Sequence, residues 1–238
     1  MTKLPFDPKT VDPSVFKFFA KKTRDMEMLW ELVHLNDPAV SLIIAERIAF
    51  IEHSEGNKEI ILDEEKFSEI LDFLEKDAEK ELALMIASNP CTTKSTLGKL
   101  AKHHSEEVPG RVAIRYTIAY KTLIELSGHP SPIVRNKVAE NRRAKRDIFL
   151  NLINHSYESE KPKLFPTIGC NSRADLAVLT ALYDQAIKFN LTHQLMETYV
   201  ELELGDFLER RIAEKLTKRE DPRLDEWRRK EKTFSPKY

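Results

Sequence analysis

Residues Ser127–Asp147 read SGHPSPIVRNKVAENRRAKRD. Ser131 offers a capping oxygen directly before Pro132, a proline at a first helical position, where its missing N–H costs nothing. Val134, Val138 and Ala139 follow at the spacing of a buried helical face. The same stretch places six basic side chains within twelve residues: Arg135, Lys137, Arg142, Arg143, Lys145 and Arg146. It therefore reads either as a helical unit with a charged outer face or as a patch that meets phosphate.

Two further stretches share its register. IASNPCTTKSTLGKLAKH (86–103), VAENRRAKRDIFLNLINH (138–155) and IGCNSRADLAVLTALYDQ (168–185) each give an aliphatic residue, a small residue, one variable position and an asparagine. An apolar pair three apart follows: Leu97 and Leu100, Phe149 and Leu152, Leu179 and Leu182. A second match joins LWELVHLNDPAVSLIIAER (29–47) to LIELSGHPSPIVRNKVAEN (123–141), with Pro38 answering Pro132 and Ala45-Glu46 answering Ala139-Glu140. Each unit reads as a helix, a turn closed by Asn89, Asn141 or Asn171, and a second helical piece. Asparagine tolerates the left-handed backbone that ends a helix and can cap the next one. One such pair cannot bury its apolar stripe alone, so successive pairs must stack.

The rest of the chain agrees. Gly is sparse, at six, and the composition is 41% apolar and 32% charged, that of a folded chain rich in helix formers. Helical spacing recurs in Phe67, Ile70, Leu71, Leu74, Ala78, Leu82 and Met85, taken as one segment. It recurs again in Val112, Tyr116, Ala119, Tyr120 and Leu123, and in Leu179, Leu182, Tyr183 and Ala186. Asp12-Pro13 and Asp63-Glu64-Glu65 read as helix starts, and Ser172 with Asp175 resembles a capping box. KEIILD (58–63) is the best strand candidate and is very short.

The motifs small-x-Asn-Pro, a leucine pair, Pro-x-Val-Arg and Val-Ala-x-Asn, present as IASNP, LGKLAKH and SPIVRNKVAEN, resemble the leucine-rich repeat variant family, relatives of HEAT repeats. The resemblance covers roughly Leu29 to Asp184. It implies an all-α curved solenoid of stacked helical repeats with N- and C-terminal capping helices. Members with an iron–sulphur module carry a cysteine cluster before the repeats; this sequence has none there, so no cofactor is expected. The expected organisation is a single domain, 1–238. Within it, N-terminal helices occupy about 1–28 and repeats 29–185, with an exposed loop inserted near 52–63. A C-terminal cap covers 186–230, built on Leu195, Tyr199, Leu202, Phe207, Leu208, Ile212 and Leu216, and a frayed tail covers 231–238.

Chemistry-bearing motifs are scarce. G-x-S-x-G, Walker, G-x-G-x-x-G and H-E-x-x-H patterns are absent, so the expectation is a non-enzymatic chain. His103-His104 is the only histidine pair; neighbours on a helix diverge by about 100° and do not chelate one metal easily. Cys91 reads as a small packing residue, and two cysteines make neither a disulfide framework nor a zinc cage. No window approaches the ~18 continuous apolar residues of a membrane span, and the N-terminal MTKLPFDPKTVDPSVF lacks a secretory apolar run. No membrane association and a cytoplasmic setting are expected.

Charge supplies the remaining signal. The net charge of −1 hides an asymmetry: Glu52 to Glu81 holds twelve acids against four lysines, a balance of −8. Ile86 to His155 holds twelve bases against five acids, a balance of +7. Arg111, Arg115, Arg135, Lys137, Arg142, Arg143, Lys145 and Arg146 are the candidate binding residues. Tyr116 and Tyr120 would add stacking surface if the ligand were a nucleic acid. The same charges also suit a solvated face, and Arg135 could reach a carboxylate of the next unit. The expected function is a binding or adaptor module for a protein partner. A nucleic-acid-binding protein using the bases around 94–146 is the alternative, and a DNA-modifying HEAT-like enzyme a distant one. No small-molecule substrate is evident.

Overall fold

A computed structural model describes residues 4–7, 10–52, 58–60, 62–193, 195–196 and 199–218. The chain is dominated by helices and divides into two compact units, Met1–Ala119 and Tyr120–Tyr238. Among the described residues no helix is long and apolar enough to cross a membrane.

The first unit runs α1 (Pro13–Lys22), α2 (Met26–Val33), α3 (Pro38–Glu46), β1 (Phe50–Glu52), β2 (Lys58–Ile60), α4 (Glu64–Glu75), α5 (Lys80–Ser88), α6 (Lys94–Leu100) and α7 (Glu107–Ala113). Its starts are chemical. Asp12, Asp25, Asp37 and Asp63 each accept a backbone N–H of the first turn they precede, with Pro13 and Pro38 at first helical positions. Helices α1, α3, α5 and α7 pack in succession as one layer, and α2, α4 and α6 as the other. Between the layers lie Leu29, Leu32, Phe67, Ile70, Leu71, Ile86, Leu97 and Leu100, all buried.

The second unit runs α8 (Tyr120–Ser127), α9 (Pro132–Glu140), α10 (Arg146–His155), a 3-10 turn at Glu158–Glu160, α11 (Lys161–Cys170), α12 (Leu176–Lys188), β3 (Leu195–Met196), β4 (Tyr199–Glu203) and α13 (Leu204–Lys218). Helices α8, α10 and α12 pack in succession; α9 packs on α11, and α13 on α12. Leu123, Leu126, Phe149, Leu152, Phe165, Leu179 and Leu182 fill the space between them. Phe207, Leu208, Ile212 and Leu216 bury one face of α13. A Cβ on Gly169 of α11 would meet Leu208 Cδ2 at 3.1 Å and Phe207 Cε1 at 3.3 Å, so α13 docks where α11 has no side chain.

Several expectations are corrected by this geometry. The insertion near 52–63 contains strands: β1 and β2 pair antiparallel, Phe50 opposite Ile60. A second small hairpin, β3 with β4, was not legible as alternation, and its Leu195, Tyr199 and Leu202 lie on strands and not on a capping helix. The 67–85 segment is two helices, because α4 ends at Glu75 and α5 begins at Lys80 with its own buried face of Ala83, Ile86 and Ala87. The 112–123 segment is likewise broken between α7 and α8, which leaves Tyr116 in a turn and 75% exposed. Asp175 itself caps α12, accepting the Val178 amide, so Ser172 forms no capping box with it. The tail 231–238 and the cap's continuation beyond 218 lie outside the described residues.

Candidate binding surface

The three asparagines of the shared register do occupy one kind of turn. Asn89, Asn141 and Asn171 each C-cap a helix (α5, α9, α11) with φ of −66°, −68° and −67° and ψ of 128°, 125° and 124°. This backbone is extended, so the left-handed expectation is wrong; the left-handed asparagines are Asn36 and Asn190, at φ 53° and 54°. What selects asparagine here is its amide. Asn89 Nδ2 donates to Ala45 O at 2.7 Å and to Arg47 O, while its Oδ1 accepts the Cys91 N–H at 2.9 Å. Asn171 Nδ2 donates to Ala139 O (2.7 Å) and Asn141 O (3.2 Å), and its Oδ1 accepts from Arg173 N. Asn89 and Asn171 thus satisfy carbonyls left open at the end of the preceding helix of their layer, and Asn141 Oδ1 accepts from Arg143 N at 2.8 Å.

Arginine does the same work at the same register. Arg47 Nη1 donates to Ala20 O at 2.8 Å and Nη2 to Thr23 O at 2.7 Å. Arg115 Nη1 donates to Ser88 O; outside that register, Arg211 from within α13 donates to Gly169 O at 2.8 Å. Arg47 and Arg115 follow Ala45 and Ala113 by two residues, as Asn89 follows Ala87, so the sequence carried this signal.

The candidate binding residues therefore separate by role. Arg115 is half-buried in that structural role, and burial pushes its guanidinium pKa down. Arg135 is not on the surface: it is 6% exposed and pairs with Glu160 at 2.7 Å, a partner the sequence reading did not name. Its Nη1 also donates to Pro130 O at 2.9 Å, and its guanidinium lies over the Tyr157 ring, 5.3 Å from the centroid. Lys137 pairs with Glu140 at 2.9 Å. Arg146 pairs with Asp175 at 2.6 Å; burial raises that carboxyl's pKa, but Arg146 and the Val178 and Ala177 amides outweigh it and hold it low. Lys145 Nζ sits 4.8 Å from the Tyr120 ring, and the Tyr120 hydroxyl bonds to Asp147; burial and that carboxylate push the phenol pKa up. Arg111 and Arg142 are exposed, and Arg143 is half-buried.

One of the concavities these elements leave is a groove of about 550 Å³ beside α9 and α11; a shallower one lies along Lys145, Arg146, Arg173 and Asp175. Asn136 and Glu140 supply one wall, Lys163, Pro166, Thr167 and Cys170 the other, and Arg142 and Ser172 the end. Thr167 Oγ1 donates to Asn136 Oδ1 at 3.1 Å, linking the two walls. None of Asn136, Lys163 and Thr167 was singled out in the sequence, because only the packing of α11 on α9 brings them together.

Among the described residues no group of three His, Cys, Asp or Glu side chains could hold a metal. His103 and His104 lie in the turn after α6 with rings stacked 4.2 Å apart. Cys91 is buried, its Sγ accepting the Ala49 N–H at 3.4 Å, and both cysteines are free thiols. Comparison with protein-family models, with curated proteins and with solved structures gave no match.

Proposed function

We propose that the chain is a non-enzymatic, HEAT-like helical-repeat module of leucine-rich-repeat-variant type that binds a protein partner in the groove beside α9 and α11. The setting proposed is cytoplasmic, in keeping with two free thiols. Recurrence of one capping turn at Asn89, Asn141 and Asn171, with successive same-layer packing inside each unit, supports the repeat reading.

One observation carries the choice of partner. Three of the six bases in the quoted turn, Arg135, Lys137 and Arg146, are engaged by Glu160, Glu140 and Asp175. A stripe that tracks phosphates needs its cations free, since counterion release scales with the contacts made. The groove instead offers amide, hydroxyl, thiol and charged groups of both signs, the mixture that reads a polypeptide. The test pairs two measurements. Cys170→Trp, which fills the groove from an exposed position, should abolish co-purification of the partner while leaving the melting temperature unchanged. The wild-type chain, titrated with mixed-sequence single- and double-stranded DNA and RNA, should show no salt-sensitive binding. Tight, salt-sensitive binding that is lost on replacing Arg142, Arg143, Lys145 and Arg146 with Gln would overturn the proposal in favour of nucleic acid.

A further inference from the structure

The groove has an electrostatic bias, although its lining carries charges of both signs. Its one carboxylate, Glu140, is already neutralised: Lys137 Nζ contacts its two oxygens at 3.0 and 2.9 Å, and Asn136 Nδ2 donates to it at 3.3 Å. Its two cations are different. Arg142 and Lys163 are exposed, and neither pairs with a carboxylate among the described residues, in contrast to Lys137, Arg135 and Arg146 nearby. They come from different elements of its lining, Arg142 from the turn after α9 at its end and Lys163 from the first turn of α11. Lys163 and Cys170, both lining it, are seven residues apart on one helix, about 10 Å of rise. That length accommodates about three residues of extended chain.

We infer that this groove takes an extended acidic peptide segment of a partner, with Asp or Glu side chains meeting Arg142 and Lys163 and its amides meeting Asn136 and Thr167. The inference rests on the protein-binding reading and narrows it. Both cations retain free donors, so a carboxylate arriving there gains a charge-assisted hydrogen bond without displacing an existing partner. A basic peptide would place like charges opposite them, and a neutral one would leave them without a counter-charge.

The experiment uses the full chain and three labelled peptides of one length: Asp/Glu-rich, its Asn/Gln analogue, and a Lys-rich counterpart. A single-stranded DNA of equal charge is the fourth probe, and all four are read by fluorescence anisotropy at low and high salt. The acidic peptide should bind at least about tenfold tighter than the neutral one, with the gap closing at high salt. Arg142→Glu with Lys163→Glu should remove that preference and transfer it to the Lys-rich peptide, at unchanged melting temperature. Lys121→Glu, an exposed cation of α8 away from the groove lining, should change neither. Equal binding of acidic and neutral peptides, a preference that survives the double reversal, or tighter binding of the DNA would each refute an acidic peptide as occupant. If Cys170→Trp abolishes partner capture and the double reversal does not, the groove stands and its acidic occupant falls. If both variants retain capture, the groove itself is not the docking site.

Discussion

Replacing Asn89 with alanine isolates the interaction that repeats along this chain. Asn89 is 4% exposed and makes three side-chain hydrogen bonds, two to carbonyls at the end of α3 and one from the Cys91 amide. Those carbonyls have no partner inside their own helix, and burial keeps water from replacing the amide. At about 1 kcal/mol net per bond, the loss should be about 3 kcal/mol. For a unit of this size that is a fall in melting temperature of about 10 °C. Asn89→Asp should be at least as damaging, because it turns a carboxylate towards two carbonyl oxygens. The assay is a urea titration followed by helical circular dichroism, with Asn154→Ala, an exposed position of α10, as the reference. A loss below about 0.5 kcal/mol for Asn89→Ala, the scale of an ordinary surface substitution, would show that the bridge between α5 and α3 does not hold them together.

Leu100→Ala, Leu152→Ala and Leu182→Ala truncate side chains 2%, 1% and 0% exposed, and each should cost about 2–5 kcal/mol by the same titration. Unchanged midpoints would remove these leucines from the core. Arg135→Ala leaves Glu160 buried without its cation and should cost about 3–5 kcal/mol, whereas Arg135→Met combined with Glu160→Met should recover most of that loss. Equal damage from the single and double variants would assign the effect to packing alone. Stability should also fall on acidification. The Lys99 hydrogen bond, aided by Thr96 against the opposing effect of burial, lowers the pKa of Asp72, and Asp175 is likewise held low. Both contributions are complete above the unfolded carboxyl pKa near 4 and vanish as pH drops through the depressed folded values. Asp72→Asn and Asp175→Asn should each flatten that acid limb of a pH–stability profile, and an unaltered limb would refute the assignment.

The sequence by itself determined the helical character and the register. The apolar pairs at 97/100, 149/152 and 179/182 are all buried, and the asparagines that precede them share one backbone conformation, because both features are local and periodic. It misplaced helix boundaries wherever an amphipathic pattern crossed a turn, as at 75–80 and 113–120, since the helices on either side of each break carry apolar spacings that happen to run on in one period and no glycine or proline marks the turn. Only tertiary structure decided the fate of the charges. Glu160 lies 25 residues from Arg135 and Asp175 29 from Arg146, and nothing local pairs them. The groove follows the same logic: Asn136 and Thr167 are 31 residues apart and meet because α11 packs on α9. A basic run in sequence thus became a set of buried and surface ion pairs in which Arg142, like Lys163 of α11, meets no carboxylate among the described residues, because Coulomb attraction acts over a few ångströms and the fold sets which distant charges come that close.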